Sequence, residues 1–482
     1  MKPAQQNEIK NIDNQTVRSM IHPTVKPLTT CLAAVALLAA CQQAPQRPEP
    51  YSWEADLRHR IALDFGRSEA EVKAYIAQYL PDATDADMRR WEEQKALEYA
   101  VIDGEKRYFN NAAPNLFRID SACREAKRAK EGGSTLSGSE RVNQYHLPEV
   151  IAQACRTGRS FVEPKQFRVT YTLTVAPDAV PEGQMVRCWL PYPQATVGRQ
   201  NDVRLISTSE KVYNRAPVES LHATLYMEKP AVKGKPTVFS ECFELTTSAE
   251  WHDLSPEMVQ PYDTTTQLYR TYTAERERHI RFTPELRQLA ARLTDGVDNP
   301  LLKARRIFKW INDNYPWASA REYSTIDNIP MYVLENGHGD CGQVTLLFLT
   351  LCRIVGIPAH FQSGFMLHPG ACGLHDWGEI YFEGVGWVPV DQSFGIPSFA
   401  SSEAERWFFL GGIDSYRLVV NNDFGQPLIP PKRYPRSETV DFQRGEVEWD
   451  GGNLYFDQWD YDLRVEPEPD ITTLLWSETG VR

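Results

Sequence analysis

One cysteine lies between glycines in the stretch GHGDCGQ, residues 337–343, directly before an apolar run at residues 344–355. The glycines allow a sharp turn and a close approach to a substrate, and the run predicts a buried helix that ends at Gly356. A helix start offers unpaired N–H groups and the positive end of the macrodipole, which favour a thiolate. Cys341 is therefore a candidate nucleophile, although a buried structural cysteine ahead of a core helix accounts for this stretch alone equally well.

A histidine and an aspartate follow on a predicted hairpin. The runs LHDWGEIYF and GWVPVD are β-rich and flank a glycine-containing turn. If the turn centres near Glu383, His375 and Asp391 are cross-strand neighbours with Cβ atoms about 5 Å apart, and a shift of about one residue makes them diagonal. A thiol, a base and a carboxylate that orients the base are the groups that thiolate catalysis requires. The hairpin thus supplies a candidate base and its partner for Cys341.

Each of these residues also has a structural interpretation. His375 lies among apolar residues and fits a core histidine, and Asp391 after a strand fits a turn former or a helix cap. Asp376 competes as the partner of the imidazole, but adjacent residues on a strand point to opposite faces. Asp340 would raise the pKa of the neighbouring thiol if it were unpaired, so we expect it to be a helix cap. Three other histidines are alternative bases, and we expect none of them to lie opposite a carboxylate on a hairpin: His338, His360 and His368.

Five segments, in the order Cys, His, Asp, resemble the transglutaminase-like superfamily, which is papain-like in its catalytic arrangement. They are GDCG (339–342), LCRIVGIPAH (351–360), SGF (363–365), HDWGEI (375–380) and GWVPVD (386–391). By this resemblance Cys341 is the nucleophile, His375 the general base and acid, and Asp391 the residue that orients it. The resemblance also implies an oxyanion donor, either the backbone N–H of Cys341 or an upstream side chain, for which Tyr315 and Trp317 are candidates.

Neither a cofactor nor a metal is expected. The calcium sites of animal transglutaminases have no counterpart in this chain, and no CxxC, HExxH or EF-hand spacing occurs.

The remaining patterns predict an α+β protein of several domains. Residues up to about 160 show helical periodicity, including a capping-box signature at Ser68 and Glu71, whereas the following residues alternate with a period of two. We divide the chain into a helical domain at 51–160, a β-sandwich at 161–250, a catalytic domain at 251–400 and a mixed C-terminal extension at 401–482 that packs on the core. By resemblance, the catalytic domain packs the cysteine-bearing helix on an antiparallel sheet.

The N-terminal residues are typical of an exported protein. Residues 28–40 are apolar but too short to cross a bilayer, and they have the layout of a secretory signal. The LAAC sequence that ends at Cys41 resembles the lipobox of bacterial lipoproteins. We expect a signal peptide at residues 1–40 with its true start at Met20, lipidation of Cys41, and a proline-rich tether at residues 41–50. The predicted location is the bacterial cell envelope, lipid-anchored at the outer membrane or cell surface.

Composition limits the partners and the cysteine chemistry. The 482-residue chain carries a net charge of -12 and no Lys/Arg cluster, which argues against nucleic acid as a partner. Of nine cysteines, Cys31 would leave with the signal and Cys41 would be lipidated, so an odd number remains and at least one thiol stays unpaired. We expect that thiol to be Cys341, and we regard Cys188 and Cys242 as a candidate disulfide.

These observations predict an exported, cysteine-dependent acyl-transfer enzyme that hydrolyses peptide or amide bonds of a peptide or protein substrate through a thioester on Cys341. Hydrolysis is favoured over transfer because water competes for a thioester unless the site excludes it. In addition, the sequence shows no recognisable amine-binding feature. Two alternatives stay open: a transglutaminase that cross-links protein glutamine to amines, and a non-catalytic binding or scaffold lipoprotein. The intact Cys–His–Asp set argues against the second.

Overall fold

A computed structural model describes residues 51–132 and 136–466. The predicted signal peptide with its start at Met20, the lipidation site Cys41 and the tether lie outside the described residues, as does the end of the C-terminal extension. Within the two described ranges, no helix combines the length and apolarity that a bilayer crossing requires. The architecture is the predicted mixture of helices and antiparallel sheets.

The helices, in chain order, are α1 Trp53–Asp64, α2 Glu69–Ala77, α3 Asp85–Glu93, α4 Ala112–Ile119, α5 Ser121–Glu131, α6 Gly138–Thr157, α7 Gln267–Tyr272, α8 Pro284–Thr294, α9 Pro300–Asn314, α10 Ile329–Asn336, α11 Cys341–Ile354 and α12 Glu403–Arg406. The strands are β1 Tyr99–Ile102, β2 Glu105–Tyr108, β3 Phe161–Val175, β4 Met185–Pro191, β5 Gln200–Thr208, β6 Asn214–Arg215, β7 Thr224–Pro230, β8 Thr237–Trp251, β9 Ala359–His368, β10 Ala371–Phe382, β11 Gly386–Val390, β12 Gly412–Ile413, β13 Arg417–Asn421, β14 Glu446–Trp449, β15 Gly452–Leu454 and β16 Trp459–Glu466.

The N-terminal region is mainly helical, and α2 begins at the predicted capping box. The Ser68 side chain accepts a hydrogen bond from the Glu71 N–H, and the Glu71 carboxylate accepts one from the Ser68 N–H. The structure adds the hairpin β1–β2, which the helical pattern did not predict. Its two-residue turn has positive φ at Asp103 and Gly104, as the tightest hairpin turns require.

Two sheets form the β-rich region, and strands from the C-terminal part of the chain enter both. One sheet has the order β12-β8-β3-β16, with β5 also paired to β8, and the other has the order β15-β14-β4-β7-β6. Inward-facing side chains of β3 and β8 alternate with outward ones and fill a shared apolar core. Residues 412–466 therefore contribute strands to the same sheets as residues 161–251.

The candidate disulfide between Cys188 and Cys242 is not formed, and no disulfide links the cysteines in the described residues. Cys188 is buried inside the sandwich. Cys242 occupies an outward position of β8, where buried and half-buried residues alternate. The expectation was wrong because both cysteines lie on strands, but only one of them points into the core.

A third sheet positions the candidate site. Its strand order is β11-β10-β9-β13, and β9 and β10 form a long antiparallel hairpin. The buried helix α11 packs against β9 and β10, with Leu349 lying against Gly378 of β10. This confirms the expected arrangement of a cysteine-bearing helix on an antiparallel sheet.

Candidate active site

Cys341 is the first residue of α11, and its neighbour Asp340 caps the helix. Asp340 Oδ1 accepts a hydrogen bond from the Gln343 N–H at 3.1 Å, and Gln343 Oε1 accepts one from the Asp340 N–H at 3.3 Å. The Tyr323 hydroxyl donates to the same Asp340 oxygen at 2.6 Å. Burial raises the pKa of Asp340 to about 6, although the hydrogen bonds from the Tyr323 hydroxyl and the Gln343 N–H lower it. Asp340 thus has the capping role expected of it.

Gly342, directly after the cysteine, allows the first turn of α11 to pack closely against Tyr323 and strand β10. A Cβ atom at Gly342 would collide with the Tyr323 hydroxyl and would lie 2.7 Å from Asp376 Oδ2. No side chain fits at that separation, so only glycine allows Cys341 to approach the strand this closely.

His375 and Asp391 are in direct contact. His375 Nε2 lies 2.8 Å from Asp391 Oδ2, and both side chains are buried. The β10–β11 register pairs Gly378 with Val390, so Asp391 continues opposite Trp377 and His375 is diagonal to it. Of the two registers that the sequence allowed, the structure therefore has the diagonal one, in which the imidazole still spans the gap.

Further partners hold Asp391 as a carboxylate. Arg417 Nη1 lies 2.8 Å from Asp391 Oδ2, and Asp391 Oδ1 accepts hydrogen bonds from the Ser393 and Phe394 N–H groups at 3.1 and 2.9 Å. Burial raises the pKa of Asp391, but the charges of His375 and Arg417 outweigh it, and the pKa falls below its usual value. Burial lowers the pKa of His375 against the attraction of Asp391, which favours the neutral imidazole that a general base requires.

The Cys341 thiol faces a different residue. Its sulfur donates to Asp376 Oδ2 at 3.3 Å. Asp376 follows His375 on β10, so their side chains leave the strand on opposite faces. In the described part of the chain the sulfur makes no hydrogen bond to His375, and His375 Nδ1 has no hydrogen-bond partner. The structure therefore brings His375 and Asp391 together and places the thiol one residue farther along β10.

This environment keeps the thiol protonated. Burial raises the pKa of Cys341 well above its usual value, and the Asp376 and Asp340 carboxyls raise it further. Burial and the nearby carboxyls of Asp441 and Asp340 likewise raise the pKa of Asp376 well above its usual value. Sequence reasoning considered Asp376 only as a partner of the imidazole.

Gln443 supports the strand beside the thiol, and the sequence offered no signal for it. Its buried Nε2 donates to the carbonyl oxygens of Gly364 and His375 at 3.1 and 2.7 Å, and to Asp376 Oδ1 at 3.0 Å. The Gln443 N–H in turn donates to Glu438 Oε2 at 2.8 Å. The amide thus fixes both the backbone at the candidate base and the carboxyl that contacts the thiol.

The expectation that none of the alternative histidines lies opposite a carboxylate on a hairpin was wrong for His360. His360 lies directly opposite Glu379 across β9 and β10, with His360 Nε2 2.8 Å from Glu379 Oε2. His368 Nε2 lies 3.3 Å from an oxygen of Asp414. His338 hydrogen-bonds a backbone carbonyl at 2.9 Å. The error arose because the pairing of β9 with β10 was not part of the predicted hairpin.

The two oxyanion candidates lie in different settings. Tyr315 directly follows the last residue of α9, and its ring packs on Trp310 with centroids 5.1 Å apart. Trp317 forms a parallel bridge with Gly339, and the Ala318 N–H donates to the Gly339 carbonyl at 3.0 Å. The Trp317 side chain is 46% exposed, and its indole N–H donates to no residue in the described ranges. Of the two candidates, Trp317 is therefore the one that lies next to the turn that precedes Cys341.

The comparison with protein families agrees with the resemblance seen in the sequence. Residues 287–392, which include all three candidate catalytic residues, match the transglutaminase-like superfamily. A solved structure described as a putative cysteine protease from Cytophaga hutchinsonii is 14% identical, with a TM-score of 0.41, over 64% of this chain and 92% of that one. The periplasmic domain of TgpA from Pseudomonas aeruginosa is 14% identical, with a TM-score of 0.26, over 51% of this chain and 91% of that one. No curated protein sequence matches the chain.

Proposed function

Because residues 287–392 of this chain form a transglutaminase-like superfamily domain, we propose that the protein is a cysteine-dependent acyl-transfer enzyme that hydrolyses peptide or amide bonds through a thioester on Cys341. The observation that carries the proposal is the buried His375–Asp391 pair at 2.8 Å, in which His375 lies on β10 directly before Asp376, the residue that contacts the Cys341 thiol. A neutral imidazole oriented by a carboxylate, with its second nitrogen unengaged, is equipped to take the proton of a thiol.

The proposed reaction requires the Cys341 thiol to exchange Asp376 for His375, whose side chain leaves β10 on the opposite face in this structure, and His375 Nδ1 then takes the thiol proton. The thiolate attacks the substrate carbonyl, and backbone N–H groups at the start of α11 stabilise the negative oxygen. His375 then protonates the departing amine as the carbon–nitrogen bond breaks. A water molecule gives its proton to His375 and attacks the thioester, which releases the acid and restores the thiol.

The protonation state of Asp376 affects how readily Cys341 forms a thiolate. A carboxylate at 3.3 Å from the sulfur would oppose formation of a thiolate, because two negative charges in a buried site repel strongly. A neutral carboxyl does not, and the raised pKa of Asp376 favours the neutral form. The thiol–carboxyl contact is thus compatible with a resting enzyme whose nucleophile is released when a substrate enters.

The same contact favours one alternative, a non-catalytic binding or scaffold protein. Alkylation with iodoacetamide across pH separates the two, with exposed Cys155 as an ordinary thiol in the same molecule. A catalytic Cys341 reacts faster than Cys155 near neutral pH, and His375→Ala removes that advantage. If Cys341 reacts no faster than Cys155 even with a peptide library present, the protein is a scaffold and not an enzyme.

Hydrolysis and transfer are separated by a second experiment. The protein is incubated with the peptide library and a labelled primary amine, and the products are identified by mass spectrometry. Cleaved peptides without label support hydrolysis, whereas label incorporated into glutamine-containing peptides supports cross-linking.

We also propose that the protein is exported and anchored through a lipid on Cys41 in the bacterial cell envelope, where it acts on a peptide or protein. The lipobox-like sequence before Cys41 supports this proposal. The mass of the mature N-terminal peptide tests it: an acylated peptide beginning at Cys41 is expected, and an unmodified peptide that runs through Cys41 would contradict it.

A further inference from the structure

Three side chains that can bind a metal converge where α6 meets β3. His146 and Glu149 lie three residues apart on one face of α6, and Glu163 comes from β3. One ring nitrogen of His146 and one carboxylate oxygen of each glutamate lie within 4.8 Å of one another. None of the three belongs to the candidate active site.

The two carboxylates meet without a counter-charge. Neither Glu149 nor Glu163 forms an ion pair or a side-chain hydrogen bond within the described residues. The nearby cation, Lys165, lies over the ring of Tyr416 at 5.3 Å instead of pairing with a glutamate. Two unpaired carboxylates held close together repel each other, and a bound cation removes that repulsion.

The imidazole is already fixed in place. His146 is buried, its Nε2 lies 3.3 Å from the Ser415 nitrogen and 3.2 Å from Ser415 Oγ, and Ser415 Oγ donates to the Glu163 carbonyl at 2.6 Å. The Nδ1 atom of His146 has no hydrogen-bond partner in the described chain. The Ser415 hydroxyl hydrogen goes to the Glu163 carbonyl, so Ser415 Oγ is free to accept from Nε2–H, and in that tautomer Nδ1 carries the lone pair that a metal ion requires.

We propose that His146, Glu149 and Glu163 form a structural site for a divalent transition-metal ion, with Zn²⁺ as the best match. Zinc accepts imidazole and carboxylate ligands in a tetrahedral shell that a water molecule can complete. Its bonds of about 2.0–2.2 Å require the ligand atoms to move closer together than they now are. The exposed Glu149 side chain on the surface of α6 is free to make that movement.

A metal at this position ties together three parts of the fold. His146 and Glu149 belong to α6, Glu163 to β3, and Ser415 to the segment that leads into β13. In that segment Asp414 pairs with Arg417 at 3.0 Å, and Arg417 pairs with Asp391 at 2.8 Å. The ion would therefore stabilise the region that holds Arg417 against Asp391, whether or not the protein is an enzyme.

Metal titration of the full chain tests the proposal. The protein is stripped with a chelator, dialysed and titrated with ZnCl₂ by calorimetry, and bound zinc is counted by elemental mass spectrometry. We expect one equivalent of zinc per chain and a higher thermal unfolding temperature with zinc than without it. The double variant Glu149→Gln/Glu163→Gln, which keeps side-chain size, should bind zinc at least about tenfold more weakly.

Two controls separate this site from other zinc-binding groups. The variant Glu182→Gln/Glu219→Gln changes two exposed glutamates elsewhere by the same charge, and it should bind zinc as the original chain does. Substitution with Co²⁺ should give a spectrum without a thiolate charge-transfer band. Substoichiometric zinc, an unchanged affinity in Glu149→Gln/Glu163→Gln, or a thiolate band would each overturn the proposal.

Discussion

Cys341 Sγ lies 3.3 Å from Asp376 Oδ2, so the candidate nucleophile contacts a carboxyl group while the candidate base, His375, is held by Asp391. The arrangement divides the site into two buried pairs on neighbouring residues of β10. Proton transfer between the pairs requires the thiol to change its partner. The predictions below test each part of this arrangement.

Replacing the carboxyl beside the thiol should make Cys341 more acidic. In Asp376→Asn the amide keeps the size of the side chain but removes the carboxyl that, once ionised at high pH, helps to raise the pKa of Cys341. The midpoint of the pH dependence of Cys341 alkylation should therefore move to lower pH. Asp263→Asn, at an exposed position away from the site, serves as the control. An unchanged or higher midpoint in Asp376→Asn would show that the carboxyl does not raise the pKa of the thiol.

Gln443 is expected to position the strand at the site. Gln443→Ala removes three hydrogen bonds and leaves two buried carbonyls without their donor, so stability should fall by about 1–3 kcal/mol. Peptide hydrolysis should fall further than stability explains, and its pH profile should shift because the Asp376 carboxyl is no longer held. Gln194→Ala is the matched control, since Gln194 is buried and also donates to two carbonyls, at 2.9 Å each. Equal pH profiles in the two variants would leave Gln443 with a structural role alone.

Asp64 should make the fold less stable as the pH rises. Burial and the Glu322 carboxyl raise the pKa of Asp64 to about 7, well above its unfolded value of 3.8. The neutral carboxyl is thus favoured in the folded state, so its contribution is complete below about pH 4 and is lost as the pH rises through about 7. Asp64→Asn should flatten this part of the curve of unfolding free energy against pH, measured with urea. A slope that persists in Asp64→Asn would assign it to other buried carboxyls.

The same residue connects the N-terminal helices to the candidate site. Asp64 accepts hydrogen bonds from the Glu322 N–H and the Thr325 hydroxyl, at 3.2 and 3.1 Å to its Oδ2. These residues flank Tyr323, which donates to Asp340 at the start of α11. We therefore expect the alkylation rate of Cys341 to be more sensitive to Asp64→Asn than to Asp263→Asn.

Trp317 offers a test of the oxyanion hypothesis. Its indole N–H is unengaged beside the turn that carries Gly339. Trp317→Phe keeps an aromatic ring but removes the donor, so it should lower kcat by about 10²–10³ with little change in KM if the indole stabilises the oxyanion. Trp317→Ala should then lower kcat to the same extent. A full kcat in Trp317→Phe would exclude this role for the indole N–H.

The site residues that belong to short-range sequence patterns could be predicted from the sequence. Cys341 was expected at a helix start because a glycine-rich turn precedes a long apolar run, and the structure begins α11 at that residue. The pairing of His375 with Asp391 followed from a hairpin whose two strands are close in sequence, so that only its register was open. Asp340 and the capping box at Ser68 are likewise short-range features with known residue preferences.

Tertiary structure alone decided which groups surround the thiol. Asp376 reaches Cys341 because α11 crosses β10 at Gly342, and Arg417 and Gln443 arrive from the C-terminal part of the chain. Such contacts depend on how helices and sheets pack, and a buried arginine or glutamine leaves no periodic mark in the surrounding sequence. The sequence by itself therefore determined the candidate catalytic residue types and the elements that carry them, whereas packing determined that the thiol rests on a carboxyl one residue away from its candidate base.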